Sequence, residues 1–213
     1  MASSVESRHL SLETIRGLLL YNDMAYLQER FGLYVCPHTT KNISILNYGK
    51  VRNWGEANAL DACRGLILES TPPYNVLSRG FDRFLPQTVS QHSKANDTND
   101  VLKIARATVK EDGSLLFMFK YEGHWMLSTM HNFADGILPF DSQERTYAEL
   151  FHEIIEQPLD VFAETLLAQF ESDDWVLTFC FEMCSIYSRV IRLYPTPKLY
   201  LISAFGGENG LGK

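Results

Sequence analysis

No stretch of the 213-residue chain is apolar for long enough to cross a bilayer, which takes about 20 consecutive apolar residues. Met1 to Leu10 is polar and charged and lacks the apolar core of a secretory signal. Internal repeats and low-complexity tracts are missing as well, which removes the repeat architectures from consideration. Cysteine is scarce. Cys36, Cys63, Cys180 and Cys184 do not form the doubled spacing of a zinc site, and neither a second pair nor a nearby His completes one around Cys180 and Cys184. Free thiols in a reducing, cytoplasmic or otherwise intracellular compartment are the expectation. Cations are in deficit too. Nineteen Lys and Arg against 26 Asp and Glu leave a net charge of −7, which argues against a protein that coats nucleic acid. A local basic groove remains compatible with that balance.

What is present is enough apolar material, 46% of the residues, to bury one core, so one domain or one domain with an appendage is expected. Ser11 to Gly32 carries a helical apolar repeat through Leu12, Ile15, Leu19, Met24 and Leu27, with Ser11 as a cap and Gly32 as a stop. Asn22-Asp23 can divide it in two. Residues 1–40 are therefore expected as an N-terminal helical segment and 41–213 as the main domain. Short strands are expected at Ile43–Leu46, Ala62–Leu68 and Val76–Arg79, and later at Trp125–Thr129, Trp175–Met183 and Lys198–Phe205. Between them, Asp141–Gln157 and Leu159–Phe170 read as amphipathic helices, with Asp141 or Ser142 capping the first. The polar run Gln91–Asp100 reads as a surface loop.

One stretch invites chemistry. Ala107 to Phe117 contains Lys110-Glu111-Asp112-Gly113 between two apolar runs. Asp-Gly in that setting predicts a hairpin turn, with Gly supplying positive φ. The same residues admit a second reading, with Lys110 as a nucleophile. A lysine amine in water has a pKa of about 10.4, and partial burial with neighbouring cations would free it to attack. Elsewhere, Arg64 in its predicted strand is either held in a structural ion pair or used as a planar fork for phosphate. Glu182 stands among apolar neighbours and requires a partner, for which Arg189 is the nearest candidate. His38 and His131 are expected to be exposed, and Phe133 to be a core aromatic.

Three segments in order carry a resemblance to a known family. Lys110-Glu111-Asp112-Gly113 resembles the Lys-x-Asp-Gly nucleotidyltransferase motif of ATP-dependent ligases and capping enzymes. Cys63-Arg64-Gly65-Leu66-Ile67-Leu68-Glu69 resembles the Arg-Gly strand that precedes this motif in RNA ligases. Phe181-Glu182, followed by Arg189-Val190-Ile191, resembles their Phe-Glu…Asn-Arg-Ile-Val segment. Together they are similar to the RNA ligase 1 family of T-even phages, over roughly residues 40 to 205. The resemblance implies an α+β fold of antiparallel sheets with flanking helices, the ATP-grasp-like adenylation domain of these ligases. It also implies that this domain is incomplete at its C-terminal end, because nothing after Phe205 resembles the family's Glu-Gly and Lys-x-Lys motifs.

By the same resemblance Lys110 forms a lysyl-AMP intermediate from ATP, normally with Mg²⁺. Arg64, Arg83, Glu111, Asp112, Gly113 and Glu182 then contact the nucleotide, and Glu182 orders the ribose or a metal-bound water. The implied partners are RNA ends, tRNA among the candidates, and no membrane. Several positions depart from the family pattern. Leu46 replaces a Tyr near the nucleotide, and Arg83 replaces a Lys, followed by Leu85-Pro86 in place of Phe-Asn. Ser128 to Phe133 stands where the family has a Lys-Ser-Lys-Gly segment, and Ile186-Tyr187-Ser188-Arg189 where it has Pro-x-Asn-Arg. A nucleotide- or RNA-binding module without catalysis, or a related DNA ligase or capping enzyme, are the alternatives.

Overall fold

The computed structural model describes residues 12–48, 62–81, 108–169 and 178–206. Two short helices come first, α1 (Leu12–Tyr21) and α2 (Met24–Phe31), divided where Asn22-Asp23 interrupts the apolar repeat. Asp23 caps α2 by accepting the Tyr26 N–H at 2.8 Å, and Gly32 ends it in the left-handed region at φ 66°. Ser11, the expected cap of α1, lies outside the described residues.

Strands β1 (Leu33–Pro37), β2 (Ile43–Tyr48), β3 (Leu66–Glu69) and β4 (Val76–Ser78) form one antiparallel sheet in sequence order. Ile15, Leu19 and Leu27 of the helices pack on one face of it, against Leu33, Leu46 and Leu66. The division expected near residue 40 falls between β1 and β2, which pair from Leu33 opposite Tyr48 to Pro37 opposite Ser44. Leu46, one of the departures from the family pattern, is fully buried in this core.

The second sheet contains β5 (Ser114–Tyr121), β6 (His124–Thr129), β7 (Thr178–Cys184) and β8 (Lys198–Phe205), in the order β6-β5-β7-β8 and antiparallel throughout. Residues 175–177 of the expected Trp175–Met183 strand lie outside the described residues. Helices α3 (Tyr147–Ile155) and α4 (Leu159–Leu167) cover one face, placing Leu150, Phe151 and Ala163 over Leu116, Phe179 and Phe181. The start of α3 differs from expectation. Thr146 is the cap and exchanges hydrogen bonds with Glu149, while Asp141 accepts from Arg145 Nε at 2.6 Å. A reciprocal cap satisfies two N–H groups at once, and Asp141 is engaged with the guanidinium instead.

The opposite face of the second sheet meets the first. Strand alternation turns Phe117, Phe119 and Tyr121 to that side, and Phe119, Tyr121 and Phe133 pack with Ile43, Ile45 and Ile67. Phe117 fills the space over two glycines: a Cβ on Gly80 would stand 2.4 Å from its ring, and one on Gly65 2.9 Å. The result is a mixed α/β arrangement with two antiparallel sheets in contact and helices packed on each. All four cysteines are free thiols, and burial pushes Cys63 and Cys180 up to about 12. No helix among the described residues is long and apolar enough to cross a membrane.

Candidate functional site

Lys110 enters β5 from an irregular stretch, not from a hairpin. Strand β5 begins at Ser114, residues 108–112 form no strand, and the partners of β5 are β6 and β7. Ala107, the start of the expected first strand, lies outside the described residues. Nor does Gly113 use the left-handed region. It is required because β7 passes so close that a Cβ would lie 2.4 Å from the Met183 carbonyl oxygen and 3.0 Å from Cys184 Sγ. The Asp-Gly pair is therefore a long-range packing feature that resembles a local turn signal.

The three residues after Lys110 are tied down one by one. The Gly113 N–H donates to Glu182 Oε1 at 2.9 Å. The Asp112 N–H donates to the Tyr194 hydroxyl at 3.1 Å, and Asp112 Oδ2 accepts from the N–H groups of Ile191 at 2.7 Å and Arg192 at 2.6 Å. Glu111 Oε2 accepts from the Tyr194 hydroxyl at 2.6 Å and from Arg192 Nη1 at 3.4 Å. Lys110 itself is exposed, contrary to the partial burial expected. Its charged neighbours include the carboxylates of Asp112 and Glu182, while the Arg192 guanidinium beside this stretch is paired with Glu111. The Lys110 amine is thus open to solvent, while the residues that follow it are fixed.

Glu182 is half-buried on β7, opposite Leu115 of β5 and Tyr200 of β8. Burial raises its pKa, and the Gly113 N–H works in the opposite direction. The expected ion pair with Arg189 is replaced by that N–H bond, and the exposed Arg189 guanidinium lies 5.6 Å from the centre of the Phe140 ring. The Arg192 and Ile191 N–H groups hold the Asp112 carboxyl below the ordinary aspartate range. The hydrogen bond to Glu111 raises the Tyr194 phenol.

Across the site, Arg64 is half-buried in the bend just before β3, one residue ahead of Gly65, rather than within the strand. Gly65, at φ 71°, packs against Phe117 and Met130. Met130 belongs to a tight turn in which the Thr129 hydroxyl accepts the N–H groups of His131 and Asn132 and donates to the Asn132 carbonyl. Three side chains of the first sheet hold this turn: Asn47 Nδ2 donates to the Met130 carbonyl at 3.0 Å, and the Tyr34 hydroxyl and the Cys36 thiol to Asn132 Oδ1 at 3.5 and 3.7 Å. A cleft of about 330 Å³ opens here, bounded by Ser114, Leu115, Thr129, Met130, His131 and Asn132 among others. No Lys or Arg of the described residues lines it.

The profile of the T4-type RNA ligase 1 family, described as RNA ligase, matches residues 62–205, well over half of the 213 residues. The chain belongs to this RNA ligase family. A protein of Autographa californica nuclear polyhedrosis virus, named as a bifunctional polynucleotide kinase/RNA ligase, is 28% identical over 208 residues. That alignment takes in 92% of this chain and 28% of the viral protein, so the chain spans less than a third of that relative.

Within the matched region the structure brings Lys110, Glu111, Asp112, Gly113 and Glu182 into one cluster, and packs Gly65, the residue after Arg64, against Met130. Arg83 lies outside the described residues. Phe133 is core, as expected, and His131 is exposed. His38, expected to be exposed, is half-buried: its ring meets Phe133 edge-on at 4.6 Å, and its Nδ1 accepts the N–H groups of Thr40 and Lys41. Tyr194 escapes sequence reasoning altogether. It sits in an irregular segment before Pro195, and its bonds reach back 82 and 83 residues, which no local pattern announces.

Proposed function

We propose that the chain carries the nucleotidyltransferase chemistry of an ATP-dependent RNA ligase, with Lys110 as nucleophile. The deprotonated Nζ attacks the α-phosphorus of ATP. A P–N bond forms as the bond from that phosphorus to the β-bridging oxygen breaks; pyrophosphate leaves with the electron pair, and the proton lost from nitrogen goes to solvent. The AMP next passes to an RNA 5′-phosphate, and an RNA 3′-hydroxyl displaces it to join the strands. The observation that carries this reading is the contrast between an exposed Lys110 and a rigidly bonded Glu111–Gly113 segment directly behind it. Fixed orientation toward a bound phosphate is what such a transfer requires.

Arg64 and Arg83 are the candidates for neutralising charge on the phosphates, and Glu182 for orienting the ribose hydroxyls. The described residues contain no group of three or more His, Cys, Asp or Glu side chains that could enclose a metal. Mg²⁺ fits nonetheless, because it is commonly held by one or two carboxylates together with substrate phosphates. Glu182 can provide that carboxylate, whereas Glu111 and Asp112 are engaged elsewhere. When bound, the ion would offset charge on the triphosphate.

The test is to incubate the chain with Mg²⁺ and α-labelled ATP and follow label on the denatured protein. Label is expected on wild type and absent from Lys110→Ala. Label that persists in the variant would place the nucleophile elsewhere. ATP or RNA binding without any label would support the second reading, a binding module without catalysis, which the carboxylates near Lys110 and the neutral Thr129–Asn132 turn favour. Competition by GTP, or joining of DNA ends in place of RNA, would indicate a capping enzyme or a DNA ligase.

A further inference from the structure

Resting on that reading, we propose that Tyr194 is a positioning residue for Lys110, its hydroxyl setting the conformation from which the amine reacts. The phenol works in both directions. It donates to Glu111 Oε2 at 2.6 Å and accepts the Asp112 N–H at 3.1 Å, so one oxygen bridges the two residues that directly follow Lys110. A hydroxyl at the end of a rigid, long side chain can fill both roles; Ser and Thr are too short and Phe has no polar atom. The ring is buried, at 7% exposure, and the Arg192 guanidinium lies 5.2 Å from its centre. Packing therefore accounts for the ring, and leaves the hydroxyl to be explained by its polar partners, Glu111 and Asp112, with the Cys184 thiol beside them.

The same loop delivers the Ile191 and Arg192 N–H groups to Asp112, and β7 holds Gly113 from the other side. Tyr194 completes this arrangement by fixing the Glu111–Asp112 peptide and the Glu111 side chain. The second effect bears directly on chemistry. A Glu111 carboxylate held by Tyr194 and Arg192 is kept from pairing with the amine next to it in the chain. Without the hydroxyl, that carboxylate is free to compete with phosphate for Lys110, and the Asp112 N–H has only water.

Tyr194→Phe preserves the ring and removes the hydroxyl, and with it the bridge and the contact to the Cys184 thiol. In the 213-residue chain, the rate of label transfer from α-labelled ATP at saturation should fall about tenfold or more, while half-saturating ATP moves less than about threefold. Amide hydrogen exchange at Asp112 should accelerate about tenfold, with global protection in β5 and β7 retained. A labelled wild type together with an equally fast Tyr194→Phe would overturn the role of Tyr194 and leave Lys110 chemistry standing. An unlabelled wild type with faster Asp112 exchange in the variant would sink the ligase reading but keep the clamp; unchanged exchange would remove the clamp as well. If Tyr194→Phe does not fold, Glu111→Gln and Glu111→Ala decide. The glutamine keeps an oxygen for the hydroxyl and must retain clearly more rate than the alanine.

Discussion

On the Lys110 side of the site, carboxylates and backbone N–H groups interlock; on the Thr129–Asn132 side, a neutral turn rests on amide and hydroxyl contacts from β1 and β2. The first side is built from charge-assisted bonds of 2.6 to 2.9 Å, the stronger kind, and these bonds converge on the residues behind the Lys110 amine. The second side carries no Lys or Arg between Thr129 and Asn132, yet has a formed turn against the first sheet. Both sides are ordered by hydrogen bonds, while the charged groups among these contacts are concentrated on one. Reaction geometry should therefore be sensitive to the first wall, and phosphate affinity adjustable at the second.

The most severe way to break the contrast is Gly113→Ala. Its Cβ would meet a backbone carbonyl at 2.4 Å, which cannot rotate away, so β5 and β7 must separate where Glu182 holds the loop. A destabilisation of about 1–3 kcal/mol is expected from overpacking, read by denaturant unfolding. Label transfer should fall about a hundredfold, since a small displacement of a reacting group suffices for that. A variant with wild-type rate would show that the close approach is incidental.

A gentler intervention is acidification. Backbone N–H groups lower the Asp112 pKa, so its contribution to stability is complete above the unfolded-state value and is lost only as pH falls through the lower folded value. Protection of the Ile191 and Arg192 amides should thus persist down through the ordinary aspartate range and disappear below it. In Asp112→Asn, protection should be weaker at neutral pH and flat across that window; an unaltered profile would exclude Asp112 as the anchor. Glu182 has the opposite sign. Burial raises its pKa, so the folded chain gains relative stability as pH falls from above its folded value toward the unfolded one.

The smallest effect is expected from restoring charge to the neutral wall. His131 is exposed and borders the cleft, so His131→Lys should leave stability within about 0.5 kcal/mol. It should tighten half-saturating ATP or RNA by about two- to fivefold at low salt, with the gain fading as ionic strength rises. No gain at low salt would mean that phosphate does not pass this side.

The family was legible because three segments of particular residue types, around Arg64, Lys110 and Glu182, stand in order. The individual strands and helices followed from periodicity, including the break at Asn22-Asp23, and their arrangement as antiparallel sheets with flanking helices from the resemblance. What could not be read depends on distant contacts. Gly113 looks like a turn former and is instead shaped by a strand that begins at Thr178. Asp141 looks like a cap and is engaged with Arg145. Glu182 looks as though it needs a cation, and a backbone N–H from 69 residues away satisfies it. Tyr194 carries no motif, because its importance lies in an oxygen whose partners are remote in sequence.

The ring of Phe117, seated over Gly65 and Gly80, has a mechanical consequence for these two walls. It protrudes from the strand that Lys110 leads into and occupies the hollow beside Arg64, with no room left for even a methyl group. Close-packed interiors transmit displacement rather than absorb it. The two sheets are thereby registered like a shaft and its keyway: neither can slide along the other without first expelling an aromatic ring. Gly65, the residue after Arg64, and the strand that Lys110 leads into are thus gauged against a single shared reference, a property of the joint rather than of either loop.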